Sequence, residues 1–138
     1  MNSNSTDIKE ILKLFIINFI KKNKQERLLE FLNKEKNWWK IINEFHTSIL
    51  FEDKVLQEIK SNEQESFAIY NKLKKMGAEE ECFSLLDFLD NQKYQYKLAE
   101  KLDSTVGFLV ETILYCPNSQ LGYFEGGHAQ DRFILRKQ

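Results

Sequence analysis

The feature that most constrains the fold is a change in the spacing of apolar residues along the chain. Up to about Met76 they recur at intervals of three and four residues, which is typical of amphipathic helices. From Cys82 onward the spacing becomes strand-like, with short apolar runs separated by turn residues. A run of helices followed by a run of strands indicates the α+β class, in which helices cover an antiparallel sheet.

We therefore predict a single α+β domain over residues 1–138, with residues 1–5 as a disordered tail. An N-terminal bundle of about five helices within residues 6–76, including one near 52–59, should form a helical layer. It should pack on one face of a small, mostly antiparallel sheet of three to four strands that residues 81–137 form.

The strongest strand signal lies in residues 108–116, which are rich in β-branched and aromatic side chains. Both faces of this segment are nearly apolar, so it should be a central strand. Leu121–Glu125 and Arg132–Arg136 should complete a meander, the latter at an edge because its alternate residues are charged. Residues 98–113 also fit helical spacing, which leaves two interpretations, a short helix followed by a strand or one continuous helix. Gly107 favours the break.

The net charge of −1 creates no global field that would attract nucleic acid or a membrane. Residues 21–40 carry seven basic residues, and weak RNA binding by this segment is one alternative hypothesis. Most of the basic residues are lysines, whereas recognition of bases and phosphates prefers arginine, which argues against nucleic acid. The apolar stretch 11–20 is about half the length that spans a bilayer and lacks a basic leader, so we expect a cytoplasmic protein without a membrane partner.

A cysteine, a histidine and an acid fall in or beside the turns of the predicted meander. Cys116, His128 and Glu125 are the raw material of nucleophilic catalysis, in which imidazole takes the thiol proton and a carboxylate orients the ring. His46 could join them from the end of a helix. Glu111 is a second candidate, since a carboxylate buried inside an apolar strand can have a shifted pKa. No family-specific signature surrounds Cys116, and a packed thiol is the simpler interpretation.

A metal site could draw its ligands from Glu125, His128, His46 and Asp131. Zinc sites usually show short ligand spacings, and only the step from Glu125 to His128 resembles one. The glycine-rich segment that begins at Gly122 precedes a strand and lacks the nucleotide-binding patterns, so we expect no cofactor.

Adjacent tryptophans, Trp38 and Trp39, lie between Lys36 and Lys40. Neighbouring helical positions point about 100° apart, so one tryptophan should lie in the core and the other near the surface. Tryptophan is enriched at interface hot spots, and the flanking lysines would suit an acidic partner.

The leading hypothesis is a small, non-enzymatic cytoplasmic protein of bacterial type that acts through protein binding, for example as an immunity protein or inhibitor. The alternatives are an enzyme or metal-binding protein that uses Cys116, Glu125, His128 and His46, or the RNA-binding module at residues 21–40. The sequence does not fix the identity of the protein partner or the oligomeric state.

Overall fold

A computed structural model describes residues 4–89, 93–127 and 131–137. The α-helices of these residues are α1 Asn4–Phe19, α2 Lys22–Leu32, α3 Trp38–Glu44, α4 Ser66–Met76 and α5 Leu98–Thr105. The strands are β1 Leu56–Glu58, β2 Glu81–Ser84, β3 Gln95–Lys97, β4 Thr112–Cys116, β5 Leu121–Glu125 and β6 Arg132–Arg136. The α+β class is therefore confirmed. Residues 1–3 of the predicted tail lie outside the described residues, and α1 already begins at Asn4.

The six strands form one sheet in the order β1-β6-β5-β4-β2-β3, and every pair of neighbours is antiparallel. The prediction of three to four strands was too low, because it missed the two edge strands, β1 and β3. The prediction that Arg132–Arg136 is an edge strand was wrong, because β6 pairs with β1 on one side and with β5 on the other. Each edge strand has three residues, too few for an alternating pattern to emerge. The helix predicted near 52–59 was wrong. Its apolar residues fit helical spacing, but the segment is a single 3₁₀ turn, Asp53–Val55, that leads directly into β1.

Helices lie on both faces of the sheet, which corrects the expectation of a single helical layer. One core cluster joins α1, α2 and α3 to sheet residues such as Ile113, Tyr115 and Phe124. A second cluster joins α4 and α5 to residues on the opposite face, among them Leu114 and Tyr123. The physical reason is that every residue of β4 and β5 is buried, so both faces of these strands need cover.

Helix α1 forms the centre of the first cluster through its aromatic side chains. The Phe15 ring contacts the Tyr115 ring edge-to-face at a centroid distance of 5.1 Å, and it also meets Phe51 at 5.9 Å. Phe15, Phe51 and Tyr115 are all fully buried. These contacts fix α1 against the middle of the sheet. No helix among the described residues combines the length and the apolar character that crossing a membrane would need.

The connection from α5 to β4 decides the ambiguity over residues 98–113, because the helix ends at Thr105 and the strand begins at Thr112. Gly107 has a φ of 87°, which breaks the helix as the sequence indicated. The observed strand β4 is therefore four residues shorter than the predicted strand 108–116. Glu111 lies before the strand and is exposed, so it is not the buried carboxylate that the catalytic alternative at this position required.

Candidate functional site

The loop between α5 and β4 presents three consecutive apolar side chains to solvent. The exposed fractions are 64% for Phe108, 47% for Leu109 and 62% for Val110. Scattered exposed apolar residues are normal in soluble proteins, but a run of three is a defect in a fold unless it has a function. We call residues 108–110 the apolar loop.

The apolar loop is held in place by the carboxylate of Glu125, at the end of β5. Gly107 donates its backbone N–H to Oε1 over 3.0 Å, and Leu109 donates its N–H to Oε2 over 2.7 Å. The Tyr123 hydroxyl donates to Oε1 over 2.6 Å. Glu125 has no exposed surface. Its carboxylate thus accepts three hydrogen bonds, two of which fix the backbone of the loop.

Burial of a carboxylate opposes folding unless hydrogen bonds and an opposite charge compensate for the lost water. Arg132 on β6 is the residue directly opposite Glu125 in the strand pairing, and its guanidinium also donates to the Gln64 side chain. Burial, followed by the hydrogen bond to Glu125, raises the pKa of Tyr123 well above its usual range. Tyr123 therefore stays protonated and remains a donor to Glu125 at neutral pH.

The backbone of the apolar loop adopts an unfavourable conformation at Leu109, whose φ is 59°. This left-handed region costs a residue other than glycine about 1–2 kcal/mol, and a leucine has no polar side chain that would offset the cost. The hydrogen bonds from Gly107 and Leu109 to Glu125 hold the backbone in this conformation. They anchor the apolar loop at two backbone positions.

The start of α4 is linked to residues beside the apolar loop, and it carries a fourth exposed apolar residue. The Cβ that Gly107 lacks would lie 4.0 Å from a guanidinium nitrogen of Arg132, and Arg132 bonds to Gln64. Three residues after Gln64, Phe67 is 74% exposed. The Ser66 hydroxyl, in the first turn of α4, also donates to Asp103 of α5 over 3.2 Å.

The proposed nucleophile and its acid do not meet. Thr112 pairs with Glu125 at one end of the β4–β5 ladder, and Cys116 pairs with Leu121 at the other. Four residues along a strand separate the two side chains by about 13 Å. His128 lies outside the described residues. His46 is exposed at the end of α3, where its Nδ1 lies 2.6 Å from the Asn43 carbonyl oxygen.

Both cysteines are free thiols without exposed surface. Burial raises the pKa of Cys82 to about 12 and also raises the pKa of Cys116. A nucleophilic cysteine needs the opposite shift, because the thiolate is the reactive form. The surroundings of Cys116 therefore favour a packed thiol over a nucleophile.

Of the four metal candidates, the structure describes Glu125, Asp131 and His46. Among the described residues, no group of three or more histidine, cysteine, aspartate or glutamate side chains is placed to hold a metal ion. Glu125 uses its oxygens to bind the loop backbone and Tyr123. Asp131 accepts the Gly126 N–H at its backbone oxygen over 2.8 Å, which closes the hairpin end.

The tryptophan pair divides between core and surface, as the helical spacing predicted. Trp38 is 5% exposed, and its indole N–H donates to the Leu32 carbonyl over 2.9 Å. Trp39 is 51% exposed. The Lys40 ammonium lies 5.8 Å from the centre of the Trp39 ring, and Lys36 is exposed in the 3₁₀ turn before α3.

The apolar loop was not predicted, because residues 108–110 have the same strand-forming character as the residues that follow them. The available signal was the position of Gly107 directly before the apolar run together with Glu111 after it. Glu125 was singled out as a catalytic candidate, whereas its hydrogen-bond partners are backbone N–H groups and Tyr123.

Comparison of the chain with protein-family models, with curated proteins and with solved structures gives no match.

Proposed function

We propose that this protein acts by binding a partner protein and that the apolar loop is the centre of the contact. One observation carries the proposal. Phe108, Leu109 and Val110 are exposed on a loop whose backbone is bonded to the buried carboxylate of Glu125. An apolar segment anchored at two backbone positions loses less conformational entropy when it docks, so more of its buried area contributes to affinity.

Three costs of this arrangement oppose folding. The Glu125 carboxylate loses its water, Leu109 adopts a left-handed conformation, and the side chains of the apolar loop remain in water. Local departures of this kind cluster at functional sites, where a second molecule supplies the missing contacts. A docked partner would cover the apolar loop.

The surroundings of the apolar loop indicate the chemistry of the partner. Asp103 and Glu111, which flank the loop in the chain, are both exposed, and so is Glu65 at the start of α4. Protein interfaces commonly combine an apolar centre with a charged rim, and opposite charges across the rim speed association. We therefore expect the partner to offer an apolar pocket with lysine or arginine at its edge.

A photo-crosslinking amino acid in place of Phe108 tests the proposal in the cells that produce the protein. We expect irradiation to join the chain to one or a few defined proteins, which mass spectrometry would identify. The same crosslinker in place of Ile49 is the control. Ile49 is 71% exposed but lies in the 3₁₀ turn Ser48–Leu50, away from the apolar loop in sequence.

A second variant tests whether the captured protein binds through the apolar loop. With the crosslinker at Phe67, the additional substitution Leu109→Ser should reduce the yield of the adduct at least about fivefold, as expected when an interface anchor is removed. Adducts that form equally well from position 49, or that survive the Leu109→Ser substitution, would show that the apolar loop does not recognise them.

A further inference from the structure

We propose that the surface formed by Arg27, Phe31, Trp39 and Lys40 is a second binding site, which takes an acidic segment of a protein. We call it the basic aromatic surface. It lies on α2 and α3, in the helical layer that covers the face of the sheet opposite α4 and α5. The inference does not depend on the apolar loop.

Cations and aromatic rings alternate on this surface. The Arg27 guanidinium lies 5.5 Å from the centre of the Phe31 ring, and the Lys40 ammonium lies 5.4 Å from the same centre. Lys40 is also 5.8 Å from the centre of the Trp39 ring, which is half exposed. Each ring thus carries a cation at its face, in the distance range of cation–π contacts. The rings hold the cations in position, and Arg27 and Trp39 are exposed to solvent, whereas Phe31 and Lys40 are partly buried.

On the basic aromatic surface itself, the two cations Arg27 and Lys40 outnumber Glu44, the carboxylate that pairs with Arg27. Exposed lysines at positions 24, 34 and 36 extend the surface on the α2 side. Glu44 forms an ion pair with Arg27 at 3.5 Å. The Arg27 side chain nevertheless remains 66% exposed.

Glu26 and Glu30 line the groove between α1 and α2, and the exposed Glu35 lies between Lys34 and Lys36 in the chain. These carboxylates offset part of the charge of the neighbouring lysines. The inference therefore rests on Arg27 and Lys40, the cations that the rings hold.

An acidic protein segment fits this surface better than a nucleic acid does. Its cations are lysines apart from Arg27, and lysine acts as a point charge that a flexible carboxylate side chain can reach. A single half-exposed ring, Trp39, offers little stacking area for successive bases. Carboxylates would bind Lys40 and its neighbours, while the apolar stems of the acidic segment would cover the Trp39 ring.

The test uses fluorescein-labelled decaglutamate at low ionic strength, with fluorescence anisotropy as the readout. We expect saturable binding that weakens as salt is added. Lys40→Glu and Trp39→Ala should each raise the Kd for decaglutamate at least about fivefold, which corresponds to about 1 kcal/mol of binding free energy. Lys54→Glu makes the same charge change in the separate 3₁₀ turn Asp53–Val55 and should alter binding by less than about twofold.

Four outcomes would overturn the inference. The first is an absence of salt-sensitive binding to the unmodified protein. The second is an equal loss of affinity in the Lys40→Glu and Lys54→Glu variants, which would indicate a response to net charge alone. The third is loss of decaglutamate binding on Phe108→Ser, which would place the contact at the apolar loop. The fourth is a competition experiment in which oligouridylate displaces the labelled decaglutamate at a lower concentration than unlabelled decaglutamate does. That result would favour a nucleic-acid site.

Discussion

The Leu109 backbone N–H donates to the Glu125 carboxylate over 2.7 Å, and this bond joins an exposed apolar loop to the interior of the sheet. The two residues are 16 positions apart in the chain, so the shape of the loop depends on the pairing of β4 with β5. The conformation of the apolar loop, which we propose as the binding surface, therefore depends on the buried core of the sheet.

Removal of the charge at position 125 should release the apolar loop. In Glu125→Gln the side-chain NH₂ group would face the N–H of either Gly107 or Leu109, which would leave that buried donor without an acceptor. We expect the free energy of unfolding to fall by about 2 kcal/mol in urea titrations. Hydrogen exchange at the Gly107 and Leu109 amides should also accelerate.

The matched control for this variant is Glu111→Gln, which makes the same chemical change at an exposed position. Its free energy of unfolding should stay within about 0.5 kcal/mol of the unmodified protein. Equal effects of the two substitutions would mean that Glu125 does not hold the loop.

Leu109→Asn should separate stability from binding. Asparagine tolerates the left-handed conformation better than leucine, so the free energy of unfolding should stay equal or rise by up to about 1 kcal/mol. Partner capture by a crosslinker at Phe67 should fall, because an apolar anchor is lost. Val110→Asn, at a position without a positive φ, should reduce capture without the gain in stability. A Leu109→Asn variant less stable than Val110→Asn would refute the expectation that Leu109 is strained.

Gly122 on β5 lies close against the backbone of β4. A Cβ at this position would lie 2.3 Å from the Leu114 carbonyl oxygen, a backbone atom that cannot turn aside. Gly122→Ala should therefore lower the free energy of unfolding by about 2–3 kcal/mol in urea titrations. Gly127→Ala is the control, because it is exposed and its Cβ would meet nothing within 4 Å. A Gly122→Ala protein as stable as the control would contradict this close pairing of the two strands.

The sequence predicted the core of the sheet because burial on both faces demands apolar side chains at every position. Residues 112–116 have this pattern, and all of them are buried. The same pattern could not locate the start of β4, since Phe108 and Val110 are as strand-forming as Ile113. The boundary depends on hydrogen bonds from Gly107 and Leu109 to a distant carboxylate, and such tertiary contacts leave no local signature.

The two thiols should resist modification in the folded protein. Cys82 and Cys116 have no exposed surface, and burial raises the pKa of both. A disulfide reagent at pH 8 should therefore label neither thiol in native buffer and both in urea. Rapid stoichiometric labelling of Cys116 in native buffer would contradict this expectation and would revive the hypothesis that it is a nucleophile.

The buried thiols and phenols should also make the fold sensitive to alkali. Burial raises the pKa of Cys82 and of Tyr115 to about 12, and it raises the pKa of Tyr123 and Cys116 as well. Below the pKa values of the unfolded chain, all four groups are protonated in both states, so their contribution to stability is constant. Above about pH 9 the unfolded chain releases protons that the folded chain retains, and the free energy of unfolding must fall until about pH 12.

Urea titrations from pH 7 to pH 11 check this dependence. We expect a plateau up to about pH 8.5 and a steady decline above it, while absorbance at 295 nm shows that two tyrosines ionise only on unfolding. Tyr115→Phe removes one of these groups, so its decline between about pH 10 and pH 11 should be shallower than that of the unmodified protein. A decline of the same slope in both proteins would mean that the Tyr115 phenol ionises equally well in the folded and the unfolded chain.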